Sequence, residues 1–337
     1  MILRPIQKSD YAALVTIADE SGHGFTSLPN NEELLQKKIA HSVNSFTKTT
    51  SQPGDEGYLF VLEDTETGEV VGTSGIEAAV GLDDAFYHYH LSKVIHSSRT
   101  LDVYKAVDIL TLCNDYTGAT ELCTLFLKDG YRKNCNGKLL SKARFMFIKQ
   151  HQQRFAQTVI AEMRGVSDEN GSSPFWQWLE EHFFSMDFPT ADYLTGIGQK
   201  VFIAELMPKY PIYVNLLSKE AQAVIGQVHD NTRPAIQLLK SEGFTFNGYV
   251  DIFDAGPTVE AKVDNIATVR NAQNFSVEIG EMTGDTMVLL ANDKLEDFRA
   301  TVAPMAFDSR SNSLVLTQEL ADALHLKSGD FVTATPV

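Results

Sequence analysis

The segment 131–150, YRKNCNGKLLSKARFMFIKQ, carries six basic side chains (Arg132, Lys133, Lys138, Lys142, Arg144 and Lys149) and no acidic one. The whole chain has a net charge of −16, so the sign is inverted locally. Asn136-Gly137 permits a sharp turn and a close backbone approach where a strand-like run gives way to a helical one. At such a junction the first helical N–H groups lack partners, and the helix dipole adds positive potential. Arg132, Lys133, Asn136, Gly137 and Lys138 therefore form a candidate cradle for a pyrophosphate. A solvated basic helix face behind an ordinary turn is the competing reading.

His229 follows the apolar run AVIGQV, which reads as a strand. Open α/β sheets place ligands outside the carboxyl ends of their strands. An imidazole titrates near neutrality and can take or give a proton there. Most isolated histidines are structural or superficial, and that reading stays open for His229. Its rivals, His23 and His96, have no comparable placement. Cys123 lies inside an apolar strand, where a thiol is expected to be buried and inert.

The elements that must position these residues follow from the periodicity. Ile2 and Leu3 start a strand, and Ser9-Asp10 offers a cap to a helix beginning at Tyr11. Runs at 58–63 and 69–77 flank Asp64–Gly68 as a hairpin. The stretch 85–113 is mixed and resists assignment. Residues 119–127 read as a strand. Residues 137 to about 150 read as an amphipathic helix with positions 139, 140, 143 and 147 on one face. Two later units, TVIAEMRG with SPFWQWLEEHFFSMDF and AVIGQVH with TRPAIQLLKSEGFTFNGYVDIF, share a strand–turn–helix plan with an aromatic exit. Composition shifts near 257, and short β segments follow to the end of the chain.

The chain has 337 residues, 43% hydrophobic and 21% charged, ordinary proportions for a globular protein of about two domains. Mean hydropathy is −0.14, and no apolar run approaches the ~20 residues that cross a bilayer. The N-terminus lacks the apolar stretch of a signal peptide. Three cysteines, Cys113, Cys123 and Cys135, are too irregularly spaced for a disulfide framework or a zinc site. A cytoplasmic protein with no metal and no membrane contact is expected. With 28 basic against 44 acidic residues, an extended nucleic-acid surface is excluded as well.

Residues 132–137, RKNCNG, resemble the R/Q-x-x-G-x-G/A loop of the acyl-CoA-binding acetyltransferase (GNAT) superfamily, with Cys135 at the first glycine position. Residues 231–244, NTRPAIQLLKSEGF, resemble its late helix. A closer resemblance, to the arginine N-succinyltransferase family, covers nearly the whole chain. It rests on TSLPN (26–30), ELCTLFL (121–127), NGKLLSK (136–142), AEMRG (161–165), SPFW (173–176), FFSMDF (183–188), AELMPK (204–209), PIY (211–213), VIGQVH (224–229) and DIFD (251–254).

That resemblance implies an α/β (α+β) protein, a GNAT-like mixed sheet flanked by helices with a small β-rich C-terminal part. The core is expected over 1–256, with two related halves of about 1–150 and 151–256 left open, and the β-rich region over 257–337. The implied reaction moves a succinyl group from succinyl-CoA, a cosubstrate, to the α-amino group of L-arginine, opening the arginine succinyltransferase catabolic pathway. No prosthetic group is implied. Leu125 matches a succinyl-CoA-binding position, and His229 the proposed proton-transfer histidine. Because a guanidinium only donates hydrogen bonds, arginine requires carboxylates, with Asp115, Glu121, Glu162 and Asp254 as candidates and Asn114 beside them. Another amine such as ornithine, another acyl donor, or a non-catalytic acyl-CoA-binding subunit are the alternatives. Assembly as a homo-oligomer, or with a paralogous subunit, is expected.

Overall fold

Runs of β-branched and aromatic residues draw the chain into one mixed sheet with helices against its faces. The computed structural model describes residues 1–21, 27–169, 171–199 and 201–337. In chain order the strands are β1 (Ile2–Pro5), β2 (Gly57–Glu63), β3 (Val70–Glu77), β4 (His88–Ser98), β5 (Val103–Cys113), β6 (Thr120–Leu127), β7 (Thr158–Glu162) and β8 (Ile212–Tyr213). They continue as β9 (Thr245–Val250), β10 (Pro257–Lys262), β11 (Gln273–Ile279), β12 (Thr286–Ala291), β13 (Ala300–Met305), β14 (Ser313–Leu316) and β15 (Phe331–Pro336). The helices are α1 (Tyr11–Ser21), α2 (Glu32–Thr47), α3 (Asn136–Gln150), α4 (Pro174–Leu179), α5 (Phe188–Gly196), α6 (Val201–Leu206), α7 (Lys219–Val224), α8 (Arg233–Ser241), α9 (Ala267–Asn271) and α10 (Gln318–Ala323).

Across the sheet the order is β14-β11-β15-β12-β13-β1-β2-β3-β6-β7-β10-β9-β4-β5-β8. The expected hairpin is β2–β3, closed where the Gly68 amide donates to the Asp64 carbonyl at 2.7 Å. The unassigned stretch forms a second hairpin, β4–β5, paired from His88↔Cys113 to Ser98↔Val103. Its outer half is exposed on both faces, so no clean apolar alternation marks it.

α3 lies against the sheet with Phe147 among Phe46, Tyr58, Phe60 and Phe298. Leu139, Leu140, Ala143 and Phe147 are buried, as the periodicity predicts. Ser141, Arg144, Phe145 and Met146 are buried too, since α8 and α9 also pack on the helix and Arg144 lies beside Cys123 of β6.

Two expectations are corrected. AVIGQV is not a strand. Ser218 caps α7 by accepting from the Ala221 amide at 3.1 Å, and the chain then turns at Gly226, whose φ is +71°. The second strand–turn–helix unit therefore lacks the strand of the first. The composition shift at 257 also marks no break in the sheet, because β10 pairs with both β7 and β9. Buried residues through Ala272 pack with the central core, and a separate apolar cluster begins at Phe275. The β-rich C-terminal part, β11 to β15, extends the same sheet through Leu3↔Ala300.

Candidate active site

β6 and β7 run parallel but pair only at Thr120↔Val159 and Glu121↔Ile160, after which they part. β6 is also bulged: Cys123 faces Gly75 and Phe126 faces Thr73, so Thr124 and Leu125 together oppose Ser74. Thr124 takes a left-handed φ of +53° there. A bulge of this kind leaves one residue out of the ladder and re-aims the backbone at its edge. Between the parted strands lies a cavity of about 850 Å³, walled by residues 121–126 and 161–164, by Asp251, Phe253 and Asp254, and by the α8 region.

The cavity is lined by acids. Glu121, Glu162, Asp192, Asp251 and Asp254 all contribute. Glu162 Oε1 lies 2.9 Å from Nε2 of the fully buried His88, whose pKa burial lowers to about 4, so a carboxylate meets a neutral ring. Asp254 accepts from the amides of Gly165 at 2.6 Å and Gly256 at 2.8 Å. Burial, with Asp251 beside it, pushes the Asp254 pKa well above the usual carboxylate range. Buried, with both oxygens already accepting backbone amides, Asp254 cross-links two loops and is poorly suited to pair with a guanidinium, which corrects its candidacy. Asn114 and Asp115 are also reassigned, since neither lines the cavity. The Asn114 amide donates to the Phe86 carbonyl at 2.7 Å, and Asp115 accepts from the Tyr249 hydroxyl at 2.8 Å. Of the proposed acids, Glu121, Glu162 and Asp254 line the cavity, the last with its oxygens engaged by amides.

The basic segment divides. Arg132 lines the cavity mouth, donating from Nε to the Leu127 carbonyl at 3.1 Å and pairing with Asp129 at 3.0 Å. Lys133 and Lys138 are exposed beside it, and the buried Asn136 donates to the Tyr131 carbonyl at 3.0 Å. A Cβ built on Gly137 would meet nothing within 4 Å. Asn134 and Cys135 hold φ of +51° and +64°, so Cys135 keeps the left-handed turn that a glycine would adopt more cheaply. No side chain caps α3. The other three cations leave the cluster: Lys142 pairs with Glu242 at 2.9 Å, Lys149 donates to the Val269 carbonyl at 2.6 Å, and Arg144 is buried.

Leu125 is half-buried on the cavity wall at the bulge. Cys123 lines the same wall, and burial raises its thiol to about 12, which keeps it neutral. His229 does not end a strand. It precedes the turn 230–232 that leads into α8, and its Nδ1 accepts from the Asn231 amide at 3.2 Å. Its own amide donates to the Arg164 carbonyl at 2.9 Å, fixing it beside the cavity wall. Burial, then the Arg164 charge, lowers its pKa, while Asp230 opposes. His96 lies on the exposed β4–β5 hairpin against Tyr213, and His23 falls outside the described residues.

Sequence reasoning did not single out Arg164, Asp192 or Asp251, and it counted Arg144 with the surface cations. Arg164 and Asp251 stand in segments already noted, AEMRG and DIFD. Only their convergence on one cavity was invisible.

The arginine N-succinyltransferase beta subunit family matches residues 1–268, and the C-terminal domain of that subunit matches residues 273–336. Arginine N-succinyltransferases from Salmonella schwarzengrund and Salmonella agona are each 49% identical over 333 residues, covering 98% of this chain and 96% of theirs. The structure of arginine/ornithine succinyltransferase subunit AI from Pseudomonas aeruginosa superposes with a TM-score of 0.92 at 35% identity, covering 99% of this chain and 98% of that one.

Proposed function

The chain belongs to the arginine N-succinyltransferase family, and from that premise we propose how its cavity carries out the transfer. The enzyme moves a succinyl group from succinyl-CoA to the α-amino group of L-arginine, giving N2-succinyl-L-arginine and CoA. The observation that carries this reading is the bulge at Thr124–Leu125, which opens onto an acid-lined cavity beside His229.

The pyrophosphate of succinyl-CoA lies at the mouth, against Arg132, Lys133, Lys138 and the uncapped start of α3 at Asn136-Gly137. The acyl arm follows β6 past Leu125, where the bulged backbone offers amides to the thioester oxygen. Glu121, Glu162 and Asp251 face the guanidinium, which a carboxylate can hold through paired hydrogen bonds. The amine nitrogen attacks the thioester carbon, the tetrahedral intermediate collapses, and the carbon–sulfur bond breaks. His229 takes the proton lost by the amine and passes it to the departing thiolate, its Nδ1 giving up the bond from the Asn231 amide as the ring becomes protonated. Cys123, a neutral thiol, forms no acyl intermediate. The reaction as written needs no metal or prosthetic group.

The GNAT-like reading of the core is supported by the parted parallel strands and the left-handed turn before α3. No helix among the described residues is long and apolar enough to cross a membrane. A cytoplasmic enzyme that assembles with itself or with a paralogous subunit completes the reading, and the mass of the purified chain in solution separates those two assemblies.

The test is thiol release by the purified chain across a panel of acyl-CoAs and amines, with the product identified by mass. Release confined to succinyl-CoA and arginine is expected. Preference for ornithine would shift the substrate, and CoA binding without turnover would make the chain a non-catalytic subunit.

A further inference from the structure

Arg144 projects from the middle of α3 and is 2% exposed, one of the largest fully buried side chains. Its Nε donates to the Ser141 carbonyl at 3.1 Å and its Nη2 to the Ser141 hydroxyl at 3.2 Å, both within its own helix. No carboxylate among the described residues pairs with it. Cys123 is the titratable neighbour that acts on it, and that thiol is neutral. Burial lowers the guanidinium pKa to about 10, which leaves it charged at neutral pH. An ion without a counter-charge is among the costliest groups to bury. Arg144 forms part of the cavity wall together with Cys123, Thr124 and Ala161. A cation is thus held ready in the wall of an acid-rich cavity, beside Cys123, the residue that precedes the β6 bulge.

Two carboxylates enter this cavity if the proposed reaction holds: the α-carboxylate of arginine and the free end of the succinyl group. The cavity offers two interior arginines. Arg164 lies near Asp254, Asp192 and His229, at the end where the amine must stand. Arg144 lies beside Cys123, at the end where the bulge would hold the thioester. A succinyl carboxylate sits two methylenes beyond the thioester carbon, a short reach from that backbone.

We propose that Arg144 pairs with the free carboxylate of the succinyl group and selects it over uncharged acyl groups of the same size. This rests on the acyl-transfer reading above. The unoccupied edge of the guanidinium fork suits a carboxylate bidentately, whereas an acyl chain ending in a methyl would leave the buried charge unpaired.

The experiment compares kcat/KM for succinyl-CoA and butyryl-CoA, which replaces the carboxylate by a methyl, in the parent, Arg144→Met and Arg144→Lys, with arginine as acceptor. The parent should favour succinyl-CoA strongly. In Arg144→Met the succinyl-to-butyryl ratio should fall on the order of 10²–10³-fold, and Arg144→Lys should recover part of it. Affinity for CoA, which has no acyl group, should stay within about twofold of the parent. A ratio unchanged in either variant overturns the proposal. So does a parent that accepts both donors equally, which needs no variant to fold. Collapse of the arginine-to-agmatine preference instead would assign Arg144 to the α-carboxylate. A parent that forms no succinylarginine from succinyl-CoA would remove the underlying acyl-transfer reading, a distinct result.

Discussion

The backbone amide of His229 donates to the carbonyl of Arg164 across 2.9 Å, tying the entry to α8 to the segment that leaves β7. This bond joins residues 65 positions apart and sets His229 beside Arg164, which lines the cavity together with Asn231 and Thr232. The ring is oriented in turn by Nδ1, which accepts from the Asn231 amide at 3.2 Å, so it is positioned before substrate arrives.

His229→Ala should lower kcat by about 10²–10⁴-fold while both substrates bind much as before. Because burial and the Arg164 charge lower the His229 pKa, the neutral ring predominates at neutral pH. The acid limb of the parent kcat profile should therefore lie below the ordinary histidine value of about 6.5. The variant should lose that limb. Steady-state kinetics from roughly pH 5 to 9 checks both points, and near-parental kcat would return His229 to a structural role.

Replacing Arg132 and Lys138 together by Ala should weaken succinyl-CoA binding by about 1–3 kcal/mol, the loss of charge-assisted bonds to phosphate. Arginine affinity should hardly change. Titration calorimetry with each ligand decides the matter, and parental succinyl-CoA affinity would locate the cradle elsewhere.

Citrulline matches arginine in shape but carries no charge and fewer donors, so it meets carboxylates such as Glu162 and Asp251 without the charge-assisted bonds that arginine makes. Its kcat/KM should fall by about 10³-fold or more. Glu162→Gln should narrow the gap between the two amines. Comparable kcat/KM for arginine and citrulline in the parent would remove the acidic pocket.

Stability should depend on pH through His88, whose folded-state pKa of about 4 lies below its ordinary value of 6.5. Between those two values the unfolded chain binds the proton and the folded chain does not. Stability is therefore level above about pH 6.5 and falls as pH drops toward 4, by on the order of 3 kcal/mol for this residue. His151, also lowered to about 4 chiefly by burial, acts in the same direction. Urea unfolding of the parent and His88→Gln at pH 7 and pH 5 measures it: the parent should lose more than the variant, and equal losses would remove His88 as the cause.

Much of this molecule is written in short stretches of sequence. The β2–β3 hairpin, β6 and α3 are set by alternation, turn residues and helical spacing within a few positions, so they emerge where the pattern places them. The sharp turn expected at Asn136-Gly137 falls instead at Asn134 and Cys135, and Asn136-Gly137 open the helix. AVIGQV misled because its apolar content is that of a strand, while Ser218 and Gly226 commit it to a capped helix and a turn. Which charges face the cavity was decided only in three dimensions. Arg144 reads as one more cation of a basic helix until β6 and β7 come against it and leave it inside, in the cavity wall. Asp254 and Glu162 look alike as isolated acids, yet one is spent on the amides of Gly165 and Gly256 while the other opens into the cavity. Local periodicity records which residues prefer a helix or a strand. The pairing and burial of a charge depend on what distant segments bring against it, and here that is set by where β6 and β7 part.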